Sequence, residues 1–275
     1  MRRLKYTVLF LGITLALIFL AVLLTHCAVK TKTTESPVAV FTTNGLEMPA
    51  VDAPEFLIRC DEGRFTLWYD TLYRQAHWAA HVLTRSDVEN ENAKRRNNFT
   101  VCPAVRSKGW RYARDWDYTH TGYDRGHLVP SADRVTSQAE NDATFRLSNI
   151  VPQTARLNRG IWNNLEAEIR RMAVQLDTLW IVTGGELKPG LKRIGTSGIG
   201  VPESFFKVLL AKNEGHFMAV AFVIPNTEDV SGIVWDYART VDEAEELLGI
   251  DFFPTLPDDL EQRVEAHFRQ EQWTR

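Results

Sequence analysis

Tyr123-Asp124-Arg125-Gly126-His127 and, further on, Leu157-Asn158-Arg159-Gly160-Ile161-Trp162-Asn163-Asn164-Leu165-Glu166 carry the reading of this chain. On an extended strand, side chains two apart share a face, so Arg125 and His127 point the same way and Asp124 points away. One face then holds a fixed cation beside an imidazole whose unperturbed pKa, about 6.5, suits general base work near neutral pH. Gly126 between them lets a phosphate or a neighbouring backbone come close. In the second segment Ile161, Leu165, Ile169, Met172 and Leu176 recur at three- and four-residue steps, which predicts an amphipathic helix over residues 158–176. Asn158, Trp162 and Glu166 fall on one stripe of it. An amide oxygen and a carboxylate so spaced are donors for a hard metal such as magnesium, which takes few protein ligands plus substrate phosphate. Read alone, an Asn at a helix start is more often a cap.

These segments, with Leu147-Ser148-Asn149-Ile150-Val151-Pro152-Gln153 between them, resemble the DNA/RNA non-specific endonucleases of the ββα-metal, endonuclease G-like type. The likeness continues through Val201–Val208, Ile224-Pro225-Asn226 and Asp251-Phe252-Phe253-Pro254, roughly from Phe56 to Glu261. It implies an α+β, His-Me finger fold with a central, largely antiparallel sheet flanked by helices. It implies hydrolysis of DNA and RNA phosphodiester bonds with little sequence preference. His127 is then the general base, Asn158 the direct ligand of one Mg2+ or Mn2+ ion, and Glu166 a ligand through water. Arg125 clamps the scissile phosphate, Asp124 supports the strand, and Asn149 helps to order the site. Arg95 and Arg96 compete for a further phosphate contact. Removing His127 is expected to cost activity without disturbing the fold. The rival readings are a phosphodiesterase acting on another ester and an anchored, non-catalytic nucleic-acid binder.

The net charge of −3 is unlike that of a general nucleic-acid binder, but the charge is unevenly placed. Arg85 to Arg134 carries 10 Lys/Arg against 7 Asp/Glu, and Glu228 to Arg275 carries 4 against 13. Phosphate neutralisation depends on the local field, so a basic motif region outweighs a remote acidic surface.

At the N-terminus, Arg2, Arg3 and Lys5 precede an apolar run from Val8 to Leu24, which as a helix would span about 26 Å, near the minimum for a bilayer. Residues 1–29 therefore read as a membrane anchor, a cleaved signal or a lipoprotein signal processed at Cys27, and residues 30–54 as a linker. The nuclease domain is expected over 55–275, outside the cytoplasm by the positive-inside rule. A homodimer is one assembly compatible with this reading. Cys60 and Cys102 are candidates for one disulfide in an oxidising compartment.

Along the domain, strands are expected near Phe56–Ile58 and Phe65–Tyr69, then a helix from Ala76 to Thr84 that places His77 and His81 four apart, more consistent with packing than with a metal. Ser86 to Asn98 reads as a loop. Leu179–Thr183 reads as a buried strand, and Phe205–Ala211 with Phe217–Val223 as a hairpin turning across Asn213-Glu214-Gly215. Gly195-Thr196-Ser197-Gly198-Ile199-Gly200 lacks the Lys-Ser/Thr ending of a phosphate loop and reads as a plain loop. Thr240 and Glu243 make a capping box, with Gly249 as helix stop.

Overall fold

Strand β9 (Ser204–Asn213) shows how the molecule is layered, because residues 205–211 are buried without a break. A strand exposed on one face would alternate; this one is covered on both. Phe205 meets Trp162 at 5.8 Å on one side, and Phe206 meets Phe252 at 5.8 Å on the other. The computed structural model describes residues 44–60 and 63–274, all in a unit running from Thr43 to Arg275.

Seven strands form the central sheet. They are β1 (Leu57–Ile58), β2 (Phe65–Asp70), β3 (Gln75–Thr84), β6 (Thr178–Gly185), β9, β10 (His216–Pro225) and β11 (Ala238–Arg239). Their order is β1-β2-β3-β6-β9-β10-β11, and every pair is antiparallel. Hairpin β9–β10 turns at Glu214 and Gly215, whose φ values of 49° and 88° suit the left-handed pair of a tight hairpin.

Two strand pairs stand apart from this sheet. β4 (Tyr123–His127) pairs with β5 (Ile150–Thr154), with Arg125 opposite Pro152 and His127 opposite Ile150. β7 (Arg193–Ile194) and β8 (Ile199–Gly200) make a small hairpin. The helices are α1 (Arg85–Glu89), α2 (Pro103–Ser107), α3 (Gln138–Ala143), α4 (Trp162–Leu176), α5 (Val241–Leu248) and α6 (Asp258–Glu265). A π-type turn, Leu157–Ile161, leads into α4, kinked at Gly160 where φ is −104° and ψ −111°. Leu165, Ile169, Met172 and Ala173 bury the inner face of α4. The sequence β4, β5, turn, α4 is the ββα unit that holds the cleft.

The helix expected over Ala76–Thr84 is a strand. Helix propensity in Ala76, Ala79 and Ala80 is overruled because β2 and β6 supply backbone partners on both edges. Burial from Trp78 to His81 is continuous, where an amphipathic helix would bury one stripe only. The linker expected up to residue 54 also ends sooner. Leu46 is fully buried and the Ala50 amide donates to the Asp251 carbonyl at 2.9 Å. The N-terminal segment and Cys27 lie outside the described residues, among which no helix is long and apolar enough to cross a membrane.

Candidate active site

Arg125 and His127 line one cleft of about 390 Å³, as the two-residue alternation requires. Gly126 is needed for a side chain rather than for phosphate. A Cβ there would stand 2.2 Å from Gln153 Oε1 on the paired strand, so any larger residue would have to displace that buried side chain.

The His127 ring is buried, edge-on to Phe145 at 4.9 Å. Its Nε2 is enclosed and has no hydrogen-bond partner among the described residues, an unusual state for a buried nitrogen. Burial, then the nearby Arg95 charge, hold its pKa down at about 3. The imidazole is thus neutral, with a lone pair to accept a proton. Arg95 lies over Phe145 at 5.0 Å and donates to Ser131 Oγ at 2.7 Å and Asn97 Oδ1 at 2.8 Å. Arg96 instead pairs with Asp142 at 3.5 Å and is absent from the cleft lining. Of the two arginines, Arg95 is the one that lines the cleft.

Arg125 is held on three sides. Its guanidinium lies over Phe99 and Tyr118 at 5.4 and 5.6 Å, and it contacts Asp115 through Nε at 2.7 Å and donates Nη2–H to the Asp115 carbonyl at 2.7 Å. Nε approaches the carboxylate closely but without hydrogen-bond alignment, so the backbone contact and the rings fix the fork.

Asp124, on the other face of β4, reaches round to the π-type turn. It accepts from Asn158 Nδ2 at 3.0 Å and, in bidentate fashion, from Arg159 at 2.7 and 2.6 Å. With its amide nitrogen engaged, Asn158 has the carbonyl oxygen left to offer. Asp124 is therefore more than a strand support, because it sets which end of that amide is available. The same contacts hold the Asp124 carboxyl below its ordinary range, the Arg159 hydrogen bond first. Glu166, two turns along from Asn158, also lines the cleft. No hydrogen bond or ion pair ties its carboxylate to another described residue, and burial raises its pKa against the pull of Lys207. An amide oxygen and an unpartnered carboxylate facing one space are hard oxygen donors, and they fit a divalent cation such as magnesium or manganese.

Several charged groups at this site were invisible to sequence reasoning. Lys207, on β9, is 1% exposed and donates to Thr183 Oγ1 at 2.9 Å and the Leu128 carbonyl at 3.3 Å. Its ammonium lies 5.1 Å from the Trp162 ring centre. Asp133 joins His81 at 3.3 Å and Arg170 at 3.1 Å, and burial holds the His81 pKa at about 4. Arg170 lines the cleft one helical turn after Glu166, a spacing of four that could have flagged it. Nothing in the local sequence distinguishes Lys207 or Asp133. Asn149 is fully buried; it accepts from the Val129 amide at 3.0 Å and donates to the Val129 and Thr144 carbonyls at 3.0 and 2.9 Å. Its amide is spent on the loop after His127 and on Thr144, and it does not line the cleft. Cys60 and Cys102 form a disulfide with Cα atoms 5.5 Å apart, away from the cleft lining.

A family model described as DNA/RNA non-specific endonuclease matches residues 57–259. A nuclease of Nostoc sp. is 32% identical over 216 residues, spanning 74% of this chain and 76% of its own. The mitochondrial endonuclease G of Caenorhabditis elegans is 32% identical over 206 residues, 70% of this chain and 67% of the relative. A chain in the crystal structure of the EndoG/EndoGI complex superposes with a TM-score of 0.66 at 24% identity, covering 81% of this chain and 96% of that one, a likeness of fold.

Proposed function

The chain belongs to the DNA/RNA non-specific endonuclease family, and on that premise we propose how its cleft divides the work of cutting a phosphodiester bond. The observation that carries the reading is a buried imidazole held neutral sharing one cleft with Asn158, Glu166 and the guanidinium groups of Arg95 and Arg125. The His127 imidazole takes the proton of the attacking water. Arg125, fixed by Asp115 and two rings, clamps the scissile phosphate, and Arg95 adds a second positive contact. Asn158 and Glu166 would hold one magnesium ion, which supplies Lewis-acid stabilisation of charge at the phosphate and the leaving oxygen. Asp124 keeps the Asn158 amide turned for that purpose. Arg and phosphate contacts read no base edges, so cleavage is sequence-tolerant.

Plasmid nicking by residues 43–275 tests this. Cleavage is expected with Mg2+ and lost in excess chelator; undiminished cleavage in chelator would sink the metal assignment. Asn158→Ala should raise the Mg2+ concentration for half-maximal activity, and an unchanged titration would remove Asn158 as ligand.

We further infer that the catalytic unit works outside the cytoplasm, carried there by the N-terminal segment. The Cys60–Cys102 bond supports an oxidising compartment. Fractionation of cells expressing the full chain checks this, and a wholly cytosolic protein would overturn it.

A further inference from the structure

A second pocket, of about 350 Å³, is lined by Arg74, Arg111, Tyr112, Arg114, Thr196 and Ser197. Arg193 adjoins it. Arg74 and Arg193 donate to the same two carbonyls, Leu72 at 2.5 and 2.8 Å and Gly198 at 3.1 and 2.9 Å, so their guanidinium groups lie side by side. Burial, then Arg193 and Arg111, hold the Arg74 pKa below its ordinary value. None of these four arginines is ion-paired to a carboxylate among the described residues.

Asp117, the carboxylate held by the pocket residues Thr196 and Ser197, is already occupied. Asp117 accepts from Thr196 Oγ1 at 2.9 Å, Ser197 N at 3.0 Å and Arg114 N at 2.8 Å. Gly195 lets it approach, for a Cβ there would stand 2.4 Å from the Asp117 Cβ. This glycine-rich hairpin therefore cradles an aspartate of its own chain, and its Ser197 amide is not available to a phosphate. Any anion recognition here belongs to the guanidinium forks, which match phosphate oxygens and stay charged.

The pocket is tied to the catalytic cleft through a single turn. Arg114 lies over Tyr112 and Trp116 at 5.6 and 5.2 Å. The next residue along, Asp115, grips Arg125 in the cleft. Trp116, the residue after Asp115, is 60% exposed. A concentration of unpaired positive charge in a chain of net charge −3, continuous with a phosphate-clamping arginine, calls for a polyanion longer than one phosphate.

We propose that this arginine pocket holds a second backbone phosphate of the polynucleotide, beyond the scissile one, and gives the enzyme a preference for long over short substrates. The proposal rests on the endonuclease reading. Because Arg111 and Arg114 are exposed and outside the catalytic cleft, the full chain in detergent carrying R111A/R114A tests it. The kcat/KM for a 30-nucleotide strand should fall about tenfold, mostly through KM, while that for a trinucleotide stays unchanged. The salt slope of 30-mer binding, read by fluorescence anisotropy in chelator, should shrink by about 0.7 if one single-strand phosphate contact is lost. The charge-preserving variant R111K/R114K should restore most of that slope. An unchanged 30-mer slope, or an equal loss on both substrates, would overturn the proposal. So would a thermal shift by inorganic phosphate that the double variant abolishes while 30-mer binding stays intact, which would mark a free-phosphate site. Wild type that binds the 30-mer with the expected slope but cleaves nothing would refute the endonuclease reading and leave the pocket standing.

Discussion

Truncating His127 removes two things at once, because its ring is both the proposed base and a wall of the Phe99–Phe145 cluster. The sequence suggested a residue that could be removed without disturbing the fold; its 8% exposure says that alanine would leave a hole. His127→Gln keeps volume and a polar tip and is the better variant. It should lower kcat by about 10²- to 10⁴-fold with a smaller loss of Tm than His127→Ala, and near-wild-type nicking would remove His127 from the mechanism. In the metal-free protein the imidazole should show no titration step in its NMR shift between pH 5 and 8, since its folded pKa is about 3. Arg95→Ala takes away a like charge, so the His127 pKa should move upward; a shift downward would mean that Arg95 is not beside it in solution. The unfolded state takes up a proton near pH 6.5 and the folded state resists it, so His127 and His81 contribute stability above that pH that is lost as pH falls towards 3 to 4.

The α5–α6 pair shows what an acidic surface costs an element. Thr240 caps α5 by accepting the Glu243 amide at 3.2 Å, Glu243 returns the bond, and Gly249 closes the helix at φ 66°, all as the capping pattern predicts. What the pattern does not reveal is that Asp242, Glu245 and Glu265 bring carboxylate oxygens within 4.8 Å of one another. Burial, then Glu245 and other acids, push the Glu265 pKa up to about 9. A raised carboxylate stabilises the fold at low pH and loses that contribution as pH climbs from about 4.5 towards the folded value. Glu265→Gln should therefore raise Tm at pH 8 by several degrees relative to wild type and change it little at pH 5. An equal shift at both pH values would show that repulsion is not the cause.

At the scale of the whole molecule, the Cys60–Cys102 bond closes a loop with a sequence separation of 42. Chain-entropy arguments value such a closure at about 4 kcal/mol, so reduction should lower Tm by on the order of 10 °C in a unit of this size. Alkylation under denaturing, non-reducing conditions should label neither thiol; labelling of both would refute the bridge. The charge imbalance also finds its place at this scale. Arg95 and Arg125 from the basic segment line the cleft, while the acidic C-terminal region supplies α5 and α6, which pack beside β10.

Local chemistry alone determined the first strand and the helix of the ββα unit, which are written in short-range terms as alternation across Tyr123–His127 and three- and four-residue apolar steps over 158–176; the capping box of α5 and the left-handed turn of β9–β10 were legible in the same way, while the ββα unit as a whole was implied by resemblance. That His127, Arg125, Asn158 and Glu166 would come together in one cleft was legible for the same reason, since each lies within one strand or one helical start. Tertiary structure decided whatever depends on neighbours distant in sequence. β3 is a strand because β2 and β6 flank it; Arg95 rather than Arg96 lines the cleft because Phe145 and Ser131 receive it; Gly126 answers to Gln153; and Asp124 bonds Asn158 across a gap of 34 residues. Lys207 and Asp133 become parts of the site only when the sheet and α4 enclose them, since burial and charge pairing are properties of the packed chain and leave no mark on the residues beside them in sequence.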